Sequence, residues 1–290
     1  MKKLLGILVL GLLWCSVNET ALAGDCDAII SGERETALTC ADNDTLTVSG
    51  SITFDGQNAV DAQTTDGVTI TNTGTIQSTG ASAIRGQSSL TLNITNSDTI
   101  YSEGDYGIKL IEAEKITITN EANATIKTDP SDSSDQFAIG GINMGNCSTC
   151  VNDSTTSSGE GLTLHNYGNI DSHSRTVYGG HLSSHTSKKT KIYNYDGGMI
   201  DTTTSATIKF KYAEDFELYN YSGATIQAGS KYAIETKESS TVTIDNAGTI
   251  SAVTTDTIYC VSCSDVSITN SGNITSGGTN AVRLDSVSGT

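Results

Sequence analysis

The chain of 290 residues carries 33 acidic against 16 basic residues, for a formal net charge of −17, with 29 glycines, one proline and 6% aromatic residues. So acidic a surface repels nucleic acid and anionic membranes, which excludes partners held through phosphate contacts, and it keeps an elongated array soluble and its ends apart. Neither a Gly-Gly-x-Gly-x-Asp calcium repeat nor an EF-hand loop accompanies the acidic residues, so they imply no cofactor.

Lys2 and Lys3 precede an apolar run from Leu4 to Trp14, and Ala21, Leu22 and Ala23 close the segment, so residues 1–23 read as a cleavable secretory signal peptide. Trp14 before Cys15 and Asp25 before Cys26 are too large and too charged for the position that precedes a lipidated cysteine. Past residue 23 no apolar stretch approaches the ~20 residues of a membrane-spanning helix. The mature chain is therefore expected at the cell surface, in the outer membrane or outside the cell, with 14 basic and 32 acidic residues. Six cysteines follow the leader, an even number in an exported chain, which favours disulfides. Cys26 and Cys40 are expected to close an N-terminal cap over 24–45.

From residue 46 to 290 one nine-residue phrase recurs, as VTITNTGTI (68–76), LNITNSDTI (92–100), LTLHNYGNI (162–170), VTIDNAGTI (242–250) and VSITNSGNI (266–274). Its asparagines, Asn72, Asn96, Asn120, Asn166, Asn194, Asn220, Asn246 and Asn270, are spaced by 24, 24, 46, 28, 26, 26 and 24 residues. Apolar residues stand four and two positions before most of them, the spacing of one strand face. An isoleucine follows (Ile76, Ile100, Ile126, Ile170, Ile200, Ile226, Ile250, Ile274), and about eight residues later comes a third apolar slot from Ile84 to Val282. Val48, Ile52 and Val60 continue the ruler backwards. Three equal sides per 24 residues predict an all-β fold, a right-handed parallel β-helix (β-solenoid) of triangular coils, roughly nine of them. The handedness rests on the general crossover preference.

Each coil has only four or five inward apolar side chains, worth roughly 1.5–3 kcal/mol apiece when buried, too little to offset its own ordering entropy. Neighbouring coils must supply the other walls. Stacking then places like on like, so the asparagines predict a ladder at one bend, tolerating left-handed backbone and bonding through their amides. The glycines after them, among them Gly74, Gly168 and Gly223, are assigned to the same bend.

The ruler breaks between Ile126 and Leu162 and again between Val177 and Thr190. Residues 127–161, rich in Ser, Asp, Gly and Thr and holding Pro130, read as a loop insertion. All four histidines, His165, His173, His181 and His185, fall near it and read as exposed loop residues, since no third and fourth ligand is identifiable. Two C-x-x-C pairs, Cys147 with Cys150 and Cys260 with Cys263, carry the usual ingredients of a zinc site. They lie four coils apart, roughly 19 Å at the inter-strand spacing, so local disulfides are expected and no metal.

Tyr193 and Tyr219 precede their asparagines, while Tyr167, Tyr195 and Tyr221 follow theirs. Stacked coils bring these into two short columns, which serve either to pack the middle coils or to contact sugar or protein. Signals for catalysis are missing: the sequence has no adjacent Asp-Asp pair, no Gly-x-Ser-x-Gly elbow and no His-Glu-x-x-His helix, and its four arginines are scattered. No enzyme is expected and no catalytic residue is assigned. A Thr-x-Thr ladder begins at Thr69 and Thr71 but is broken by Asn93.

The phrases TITNTGTI, NITNSDTI and SITNSGNI, alternating with SAIR and YAIE segments, resemble the passenger repeats of bacterial autotransporter (type V secretion) adhesins over roughly residues 44–290. The resemblance implies display of the β-helix on the cell surface by an outer-membrane translocator barrel. It also implies a structural or adhesive role toward a host or neighbouring cell surface, with a glycan or protein receptor. No barrel pattern occurs within these residues, so the expectation is a passenger module whose barrel would lie elsewhere. The alternative is a β-helix protein that binds or degrades polysaccharide.

Overall fold

A computed structural model describes residues 26–129, 136–142, 144, 160–180 and 187–288. Among them thirty strands form three ten-stranded parallel sheets, each strand pairing with the strands three before and three after it in the chain. The result is a three-sided β-solenoid of ten rungs, so that nine turns (10 − 1) separate the first and last strand of each sheet. No helix occurs among the described residues.

The 24-residue ruler becomes an unbroken register. Val68, Leu92, Ile116, Leu162, Thr190, Phe216, Val242 and Val266 pair in succession along the first sheet. In the second sheet Ile76, Ile100, Ile126, Ile170, Ile200, Ile226 and Ile250 form an inner column whose members are all buried. The third apolar slot, from Val60 through Ile84 and Ile139 to Ile258, supplies the remaining wall. A β-branched side chain stacked on its own copy fits a pleated inner face, which explains the preference for Ile and Val.

The segment expected as an N-terminal cap supplies rung 1. Ala28–Ile30, Glu33–Arg34 and Leu38–Thr39 pair in parallel with Thr45–Val48, Ser51–Phe54 and Val60–Gln63 of rung 2. A disulfide between Cys26 and Cys40 joins the start of that rung to its end. The stretch 127–161 is not one excursion, because Thr125–Thr128 is a strand of the second sheet and Phe137–Ile142 pairs with Tyr106–Ile111 and Arg175–Gly179 in the third. Ile139 continues the buried inner column between Ile108 and Val177 of the neighbouring rungs, so the chain is back in register there. Cys260 and Cys263 are bonded to each other and buried, with Thr236 donating to the Cys260 Sγ at 3.0 Å. Cys147 and Cys150, the leader 1–23, His181 and His185 lie outside the described residues.

The bends correct one expectation. Every asparagine of the ladder ends a strand in ordinary extended conformation, and none has positive φ. In that bend left-handed backbone falls instead on Asn123, Gly197 and Gly223, and it recurs most regularly at a different corner, after the third sheet, in Thr64, Ser88, Glu112, Tyr212, Glu238, Ser262 and Ser286, with φ of 52–60°. Such conformations cost roughly 1–2 kcal/mol each. Here the amide of each of these residues from Thr64 to Ser262 donates to a carbonyl of the next rung, as in Ser88 to Ile111 at 2.8 Å and Tyr212 to Lys237 at 2.9 Å. The ladder on both sides therefore holds a geometry that a free turn would avoid. Bend glycines are also split in purpose. Gly223 does adopt φ of +82°, whereas Gly74 does not, and is required because a Cβ there would lie 2.0 Å from the carbonyl of Gly50.

Candidate functional site

Inside the bend between the first and second sheets, the asparagine amides form one continuous chain. Asn72, Asn96, Asn120, Asn166, Asn194, Asn220 and Asn246 each donate from Nδ2 to Oδ1 of the asparagine on the next rung, ending at Asn270, over 2.7–2.9 Å. The same nitrogen also donates to the backbone carbonyl that opens the next rung's second-sheet strand, for example Asn194 to Thr225 at 3.1 Å. The seven donors are buried, so this is a structural spine, inaccessible to a ligand.

What is accessible lies on the other side of the same strands. Alternation turns every second residue outward. Just before the asparagine the outward residues run Thr71, Thr95, Thr119, then His165, Tyr193, Tyr219, then Asp245 and Thr269. Just after it they run Thr73, Ser97, Glu121, then Tyr167, Tyr195, Tyr221, then Ala247 and Ser271. Both aromatic runs occupy rungs 6 to 8 and stand side by side.

The rings are stacked along the solenoid axis. Centroids are 5.0 Å apart for His165 and Tyr193, 5.1 Å for Tyr193 and Tyr219, 4.2 Å for Tyr167 and Tyr195 and 5.0 Å for Tyr195 and Tyr221. Planes within each column agree to 7° or better. The columns touch across the strand end, since Tyr195 lies 6.2 Å from Tyr193 and its hydroxyl meets His165 Nδ1 at 3.1 Å. Ring faces inside the columns are thus covered by one another, and the slab presents edges and hydroxyls outward. Burial against the neighbouring rings, with the Tyr167 phenol beside it, pushes the Tyr195 hydroxyl up to about 12. Burial followed by its bond to Glu217, 3.0 Å away, does the same for Tyr219. Burial lowers the His165 pKa, which favours the neutral ring that stacks. Lys191 closes the rim with a 3.1 Å ion pair to Glu217. Beside it lies a shallow depression lined by Lys115, Thr117, Gly161, Thr163 and Lys189, where Lys115 pairs with Glu160 at 2.8 Å.

All five tyrosines singled out from the sequence come together here. His165, read there as a loop residue, instead stands on the strand Leu162–Asn166 and heads a column. Its position one residue before Asn166, the slot of Tyr193 and Tyr219, was the available signal. His173 lies apart, at the end of a second-sheet strand, with Nδ1 3.1 Å from the Thr203 hydroxyl.

A second group emerges only from the register. Asp171 and Asp201, thirty residues apart in sequence, pair in the outward slot of the second sheet, between Lys127 on one side and Gln227 on the other. The expectation of no paired carboxylates thus holds along the sequence and fails across rungs. Burial, then the charge of Asp171, pushes Asp201 up to about 6. Asp171 is raised by burial too, opposed by Lys127. No group of three metal-ligating side chains forms among the described residues. Among the described residues there is no helix, and so none long and apolar enough to cross a membrane. Compared with protein-family models, with curated proteins and with solved structures, the chain finds no match.

Proposed function

We propose that this chain is an exported, non-enzymatic β-solenoid that acts as an adhesive or structural passenger module at the cell surface, with the outer face of the first sheet in rungs 6 to 8 as its contact surface. The observation that carries the reading is the double aromatic slab. Six rings are concentrated on three successive rungs, in two slots that elsewhere hold threonine, serine, acid and one alanine, and they lie on the outer face while the core is already closed behind them. Aromatic edges with polar tips are a common contact chemistry for protein and glycan receptors. Export follows from the leader composition, and display by a translocator barrel from the resemblance of the repeats.

The test is binding of the mature protein to cells and to immobilised glycans. Replacing Tyr193 and Tyr219 by threonine, as Thr71, Thr95 and Thr119 stand in that slot on earlier rungs, and Tyr195 by threonine, as Thr73 stands in its slot, should abolish binding while the far-ultraviolet circular dichroism stays that of a β-solenoid; undiminished binding refutes the site. The Asp171 and Asp201 pair is the specific observation behind a second reading, action on a polysaccharide, because hydrolysis of glycosidic bonds uses two facing carboxyl groups. Release of reducing ends from an acidic polysaccharide, lost in Asp201→Asn, would move the assignment there.

A further inference from the structure

The protein covers several of its outward aromatic faces with its own cations. Lys127 lies 4.9 Å over the Tyr101 ring from the next rung, Arg283 5.1 Å over Tyr259 from the next rung, Lys109 4.7 Å over Tyr106 and Lys211 4.4 Å over Tyr212. The rung that follows the two aromatic columns breaks this habit. Beneath Tyr219 stands Asp245, in register with it, and beneath Tyr221 stands Ala247. No lysine or arginine occurs in 241–253 or 265–276, the first- and second-sheet segments of rungs 9 and 10. Because the ring planes lie across the axis, the far faces of Tyr219 and Tyr221 look onto this shelf of small residues. Tyr221 is 41% exposed, and the Asp245 side chain is exposed beside it.

We infer that the shelf formed by Tyr219, Tyr221, Asp245 and Ala247 is a binding site for a lysine or arginine side chain of a basic partner protein, which takes the place that the chain's own cations take elsewhere. The inference rests on the reading of this face as a contact surface and specifies its chemistry. A cation within about 6 Å of a tyrosine centroid is attracted by the ring face, and Ala247 leaves the room. Asp245 supplies the counter-charge, with Glu217 behind it on the Tyr219 hydroxyl. The net charge of −17 draws a basic partner toward the surface from a distance. An anionic sugar is disfavoured by the same carboxylates.

The experiment titrates tetralysine into the mature protein and follows the lysine ε-methylene protons by NMR, where stacking over a phenol ring gives an upfield ring-current shift. Tyr221→Leu preserves apolar area and charge but removes one of the two rings, and should cut the shift to the part that Tyr219 supplies and weaken binding by about two- to five-fold. Asp245→Asn should weaken it more than Asp98→Asn, which removes the same charge from an exposed bend elsewhere. Retention of the wild-type shift and affinity in Tyr221→Leu would overturn the inference, as would phosphocholine binding with a ring-current shift while tetralysine gives none. Cell binding is measured on the same variants. If it persists in the wild type and in Tyr221→Leu while tetralysine shows no dependence on Tyr221, the shelf falls and the adhesive reading stands. If binding to cells is absent from the wild type, the broader reading falls by itself.

Discussion

Asn194→Ala probes the spine where it is fully enclosed. The substitution removes the donor to Asn220 Oδ1 (2.9 Å) and to the Thr225 carbonyl (3.1 Å), and the acceptor for Asn166 Nδ2 (2.8 Å). Asn166 keeps its bonds to the Gly168 and Met199 carbonyls, so the main loss falls on the buried Asn220 oxygen, which has no other side-chain donor, and on Thr225. A buried group left unsatisfied costs about 1–3 kcal/mol, so the total is about 2–5 kcal/mol. Asn270 is exposed at its rung, where water replaces what is lost, and Asn270→Ala should cost under about 1 kcal/mol. Asn194→Asp should be worse than alanine, because it sets a buried carboxylate oxygen against the Asn220 oxygen. Urea unfolding followed by circular dichroism, with hydrogen exchange to localise the loss to rungs 6 to 8, measures the series. Equal losses at Asn194 and Asn270, or an aspartate milder than alanine, would refute the assignment of a directional amide chain.

Asp201→Asn should stabilise the protein at alkaline pH. A carboxyl raised to about 6 on folding contributes stability below its unfolded range near 3.8 and loses it as pH rises through about 6. Discounted for partial exposure, the gain is about 1 kcal/mol at pH 8 and close to nothing at pH 4; an equal gain at both values refutes the raised Asp201 pKa that burial, and then the charge of Asp171, produces. Tyr195→Ala removes two face-to-face neighbours and the His165 contact and should cost about 2–3 kcal/mol, against about 1 for Tyr221→Ala, which loses one neighbour; equal denaturation midpoints would contradict the column. Without reductant, Cys26, Cys40, Cys260 and Cys263 should resist alkylation in the unfolded mature chain, so more than two labelled thiols per molecule would exclude one of the two disulfides.

Much of the candidate surface was legible from slot arithmetic. Tyr193 and Tyr219 share the slot before the asparagine, and Tyr167, Tyr195 and Tyr221 share the one after it, so their stacking follows from the register alone. His165 obeyed the same arithmetic, but proximity to an irregular stretch disguised it as a loop residue. The Asp171 and Asp201 pair was hidden for a different reason. A search for neighbouring carboxylates along the chain misses residues thirty apart that an insertion brings into one outward slot. The left-handed corner was likewise illegible, because Glu112, Tyr212 and Glu238 carry none of the composition that usually announces positive φ. Inter-rung hydrogen bonds impose that conformation on them.

The repeat of twenty-four, with apolar residues at spacings of two and eight, determined by itself that the chain is a three-sided parallel solenoid with an asparagine column. A unit too small to bury its own apolar face has no alternative to stacking on its copy. Only the tertiary structure decided which side of each bend the asparagines occupy, which way their amides run, and which outward residues meet across rungs. Those contacts lie perpendicular to the chain, where strand pairing, and not sequence distance, sets what touches what.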